Sequence, residues 1–153
     1  MNRSFTRIFL GGILIFLIIQ VIQPVRNIDY GQVPSSDISK VYKIPENVQS
    51  ILRTSCYDCH SNSTDYPVYG YIQPFSFFLE NHIKEGKKEL NFNEWGLYSK
   101  RKRSHKLDAV ENQIRQRKMP LPSYLYLHQG AKLSDEKIKE IVDWIESVRT
   151  ENL

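Results

Sequence analysis

Cys56-Tyr57-Asp58-Cys59-His60 holds both cysteines of a 153-residue chain and a histidine directly after the second. No cysteine is left for a long-range disulfide, so the pair acts locally. On a helical turn, residues three apart share one side. Two thiols so placed reach the two vinyl groups on one edge of a porphyrin, each forming a thioether. The adjoining histidine then lies where its Nε2 meets the iron. Its other ring nitrogen is expected to donate to a carbonyl, which fixes the ring. The pattern is the attachment signature of a c-type haem. Competing readings fit less of it. A redox dithiol needs a strand–helix unit beside the motif, and none is visible. Zinc needs four ligands, and no second Cys or His pair stands at ligand spacing. A short-range disulfide leaves His60 without a role.

Outward from the motif the chain reads as helices. Pro45 opens a short one with Val48, Ile51 and Leu52 on one face. A second is expected from Pro74, with a stripe of Phe75, Phe78, Leu79 and Ile83, and with Gly86 placed to end it. His82 falls on that stripe, which predicts a core histidine. Ser104 is the expected cap of a third helix carrying Leu107, Val110 and Ile114 and stopping before Pro120. Ser134 caps the last, whose stripe is Ile138, Ile141, Val142, Ile145 and Val148. Strand-like alternation is absent, so the expected fold class is all-α. The tyrosines and Trp95 between residues 66 and 98 are expected to wall the haem pocket. Haem supplies core that the domain otherwise lacks, so the apo-protein is expected to fold poorly.

At the other end, Arg3 and Arg7 precede an apolar run from Ile8 to Ile22. The run is short for a span, which needs about 20 apolar residues and at least about 17. A cleaved signal peptide is the alternative, but no small-x-small triplet follows the run. The expected organisation is a signal anchor or transmembrane helix over 1–23, a Pro-punctuated tether over 24–45, and a haem-binding domain over 46–153. Arginines ahead of the span predict a single pass through the cell inner (cytoplasmic) membrane, held by residues 8–22, with the C-terminal domain on the periplasmic side. The net charge of +4 is too slight to imply a nucleic-acid partner.

A haem iron in an electron carrier takes a second axial side chain, Met or His. Met119 is the expected one, 59 residues after His60 and before Pro120 and Pro122. Pro120 biases it away from helical geometry. As a plain residue it would fill a core gap. Among the histidines, His82 is the remaining candidate. His105 lies in a basic run and reads as solvated; His128 reads as a structural hydrogen-bonding residue. Met1 stands at the wrong end of the chain. Lys84, Lys87, Lys88 and the Lys100–Lys106 cluster form a basic region that can steer acidic redox partners.

From Pro24 onward the chain resembles the small haem-binding domain proteins of the cytochrome c type. The resemblance rests on Ser55 to Asn62, Gly86 to Trp95, Met119-Pro-Leu-Pro-Ser-Tyr124, Ala131 to Ser134, and Trp144. It implies a cytochrome c-like helical domain, one covalent haem c on Cys56 and Cys59, His60 as proximal iron ligand, and one N-terminal membrane segment. By analogy with cytochrome c it implies Met119 as distal ligand. The expected function is one-electron transfer through a His/Met-ligated haem, with unidentified redox partner proteins and no catalytic residue. The alternatives are a haem-based sensor or binding module, or a peroxidase-like enzyme. Both need an open sixth site.

Overall fold

The computed structural model describes residues 3–151. Among the described residues every regular element is helical, in the order α1 (Arg3–Ile19), α2 (Ile38–Val41), α3 (Glu46–Ser55), α4 (Tyr57–His60), α5 (Phe75–Glu89), α6 (Lys100–Arg115), α7 (Pro122–Leu125) and α8 (Asp135–Glu151). Short 3-10 turns lie at Val68–Tyr71, Phe92–Leu97 and Gln129–Ala131. Met1 lies outside the described residues.

The core forms where the sequence has its strongest helical periods. Val48, Ile51 and Leu52 of α3 are buried against Ile138, Ile141, Val142, Ile145 and Val148 of α8. Leu107 and Ile114 of α6 close the same cluster. Trp95 is fully buried at its centre, against Phe92 and Tyr98. Burying such a side chain stabilises the fold by about 3 kcal/mol.

Segment 24–45 also packs on this core. Asp37 caps α2 by accepting from the Ser39 amide (2.8 Å), and its other oxygen accepts from the Asn93 side chain (2.8 Å). Ile38 is fully buried. One helical turn is too short to show a period, so the sequence carries no sign of α2.

The expected transmembrane helix is overturned. Among the described residues, no helix is long and apolar enough to cross a membrane. α1 has 17 residues and takes in Arg3 and Arg7. At about 1.5 Å per residue it reaches about 25 Å, short of a hydrocarbon core of about 30 Å. The single-pass inner-membrane placement, and the periplasmic side assigned to the rest, fall with it. The chain leaves the helix at Gln20, whose Oε1 accepts from the Gln73 amide (2.9 Å), while the Gln73 side chain donates to the Ile22 carbonyl (2.7 Å).

Three local expectations also change. α6 begins earlier than Ser104, because Ser99 caps it by accepting from the Lys102 amide (3.3 Å). Phe75 and Phe78 are exposed; the buried face of α5 runs through Ser76 and Ile83, and His82 is exposed with them. Gly86 does not end α5, which continues to Glu89.

Candidate functional site

Gly86 explains how the site is assembled. A Cβ at this position would lie 2.7 Å from the Cys59 carbonyl oxygen and 3.2 Å from the Cys59 Cβ. Only glycine lets α5 approach α4 this closely. The approach puts the Gly86 carbonyl of α5 and the Leu90 carbonyl just past its end beside the His60 ring: Nδ1 lies 2.9 Å from the Gly86 oxygen and 3.0 Å from the Leu90 oxygen. Nδ1 is therefore the protonated nitrogen, and Nε2 keeps its lone pair for a ligand. Burial lowers the His60 pKa, against a smaller opposing effect of the two carbonyls, so the ring is neutral at pH 7.

A cavity of about 240 Å³ opens beside this arrangement. Cys56, Cys59, His60, His82 and Met119 all line it, with Ile114, Leu121 and Leu133 as apolar wall. Both cysteines are free and partly buried. Burial first, then the Cys59 charge, pushes the Cys56 thiol up to about 12; burial and Asp58 push Cys59 up to about 11. Both stay neutral thiols, so neither acts as a thiolate nucleophile at pH 7. Two thiols, one imidazole with a free Nε2 and one thioether around a largely apolar space are the donor set a haem needs.

His82 and Met119 approach this space differently. His82 reaches it from α5, on the helix that also carries Gly86. Met119 comes from the loop between α6 and α7. That loop leaves α6 through Arg117, whose φ of 56° is in the left-handed region. The Arg117 amide reaches the Ile114 carbonyl (3.1 Å) and the Lys118 amide the Gln113 carbonyl (3.0 Å), a Schellman ending. The Arg117 guanidinium donates to the Leu133 carbonyl (2.6 Å) and pairs with Asp135 at the start of α8. His105 is exposed on α6, away from the cavity. His128 stacks on Tyr124 at 4.0 Å.

The expected aromatic wall forms elsewhere. Trp95 is in the main core, and no tyrosine between residues 66 and 98 lines the cavity; Tyr124 does. The basic region also divides. On α5, Glu85 and Glu89 line the cavity with His82, whereas Lys84, Lys87 and Lys88 line a separate groove with Arg26 and Asn27. A helix turning about 100° per residue sends these neighbours to opposite faces.

These features define a haem-binding protein. The chain belongs to the haem-binding domain family, which it matches over residues 14–147. It is also 32% identical over 99 residues to the cytochrome c peroxidase Ccp of Escherichia coli (strain K12). That match covers 63% of this chain and 21% of the relative, so the chain corresponds to a minor part of that protein. No solved structure gives a significant match.

Proposed function

We propose that the chain is a monohaem c-type cytochrome that carries single electrons. Cys56 and Cys59 would hold the haem through thioethers, and the neutral Nε2 of His60 and the Met119 sulfur would ligate its iron. The observation that carries this reading is the convergence of these four side chains on one cavity, from α3–α4 and from a loop more than fifty residues later. The bound group supplies a one-electron iron couple, and a thioether ligand raises its potential. The chain's own residues do the rest. The Gly86 and Leu90 carbonyls orient His60. Ile114, Leu121 and Leu133 keep water from the cavity wall. Ligated by His60 and Met119 together, the iron would have no position left for a substrate.

The test is production with a c-type maturation system, followed by a pyridine haemochrome spectrum. Covalent haem with the near-infrared methionine–iron band is expected. Loss of the band in Met119→Ala, and its retention in His82→Ala, is the expected pattern. Absence of covalent haem defeats the reading.

The likeness to a cytochrome c peroxidase favours one second reading, in which the sixth site is vacant and His82 on the cavity rim serves peroxide chemistry. A high-spin ferric spectrum with peroxide turnover that His82→Ala abolishes would replace the first reading.

A further inference from the structure

Tyr124 lies in α7, five residues beyond Met119 in the same loop. Its hydroxyl donates to Oδ2 of Asp58, 2.5 Å away, the residue just before Cys59. Both side chains line the cavity. Asp58 is held in place by other contacts. Its Oδ1 accepts from the Asp65 amide (3.1 Å), and its carbonyl accepts from the Thr64 hydroxyl (2.6 Å). The Tyr124 ring is also held, stacked on His128 with the planes 6° apart, and Tyr69 packs edge-on against the same histidine. Between Met119 and Tyr124 stand Pro120 and Pro122, each with its φ locked by its ring. The segment from Met119 to Tyr124 is therefore stiff, and anchoring its far end restricts its near end.

We propose that the Tyr124–Asp58 hydrogen bond is a latch that seats Met119 over the cavity. It ties the loop of the distal ligand to the turn that bears the thiols. Tyr124 is a positioning residue: it acts on the iron site through Met119, and the proposal rests on the reading of Met119 as a ligand. At 2.5 Å the hydrogen bond is short, and both of its side chains are held by other contacts. Its loss weakens the hold of Met119 against any competing ligand.

The experiment uses the full haem-loaded chain and imidazole as competitor, followed by the methionine–iron band. Tyr124→Phe keeps the ring and its stack and removes only the hydroxyl. It is expected to tighten imidazole binding about tenfold or more and to weaken the band. Asp58→Ala, which leaves the Tyr124 hydroxyl no side-chain acceptor, is expected to act in the same direction, and adding Tyr124→Phe to it produces no further change. Tyr126→Phe, on a side chain 81% exposed in the same loop, leaves both readouts at wild-type values. Unchanged imidazole affinity in Tyr124→Phe overturns the latch, as do independent effects of the two substitutions. A fall in global unfolding midpoint large enough to account for the tighter binding also overturns it, since the role is then general stability. A wild-type chain without the band defeats the ligand reading and the latch together. A wild-type band lost in Met119→Ala but indifferent to Tyr124→Phe defeats the latch alone.

Discussion

His60 and Met119 face one cavity, but they are held there by different means. His60 is backed by main-chain carbonyls at the C-terminal end of α5 and just past it, brought close because Gly86 has no side chain. Met119 sits on a loop pinned through side chains, by Arg117 to the start of α8 and by Tyr124 to Asp58. Main-chain carbonyls have no rotamers to lose. Side-chain ties from a loop cost conformational entropy and are changed one at a time. The first side is therefore built as rigid support and the second as an adjustable one. In a carrier of the proposed kind, retention of the haem belongs to the first side and tuning of the iron to the second.

The sharpest way to break this comparison is to disable each side in turn. Replacing Cys56 and Cys59 together by alanine is expected to abolish covalently retained haem, read by pyridine haemochrome after denaturation. Met119→Ala is expected to retain the haem and lose only the methionine–iron band. Equal haem loss in both would mean that the two sides are not separable.

Gly86→Ala tests the steric claim. The new Cβ meets backbone at 2.7 Å, so a helix or a turn must shift, which is expected to cost about 2 kcal/mol in urea unfolding. Gly130→Ala, with open space around the added Cβ, is the matched control and should change stability by less than about 0.5 kcal/mol.

On the loop side, Arg117→Gly exchanges two effects of similar size. Glycine relieves the left-handed backbone by about 1 kcal/mol, and the ties to Leu133 and Asp135 are lost. The expected net change is less than about 1 kcal/mol. A loss as large as that of Gly86→Ala would show the loop to be as rigidly supported as α5.

The smallest expected effect comes from acid. Glu111 on α6 accepts from Arg115 (2.8 Å) and from Arg149 of α8 (2.9 Å), and these partners, Arg115 foremost, lower its pKa. A depressed folded pKa stabilises the fold above the ordinary glutamate value of about 4.3. That contribution is lost as pH falls through the lower folded value. Glu111→Gln is therefore expected to cost only about 0.5 kcal/mol at pH 7 and progressively less toward pH 3, measured by urea unfolding at each pH.

Much of the fold was legible in the chain because its causes are local. The stripe of Ile138, Ile141, Val142, Ile145 and Val148 reads as a buried helix face and is one. Val48, Ile51 and Leu52 read the same way. α5 was misread because its aromatics look like a core stripe, whereas Phe75 and Phe78 are exposed. Periodicity shows that a helix has an apolar face, but not whether another element covers it. The N-terminal run was misread for a related reason: its hydrophobic character is plain in the sequence, but the extent of the helix is not. Gly86 was misread because a glycine near a helix end usually marks that end. Here its role is set by Cys59, 27 residues earlier.

Cys56, Cys59 and His60 lie within five residues of one another, so the common chemistry proposed for them was already legible in their spacing. That Met119 and Tyr124 share a cavity with them, that Gly86 and Leu90 lend His60 their carbonyls, and that Glu85 rather than Lys84 faces the cavity were decided by tertiary packing. Each of these depends on the distance between segments far apart in the chain. No pattern of neighbouring residues encodes that distance, because it is set by how the whole core closes.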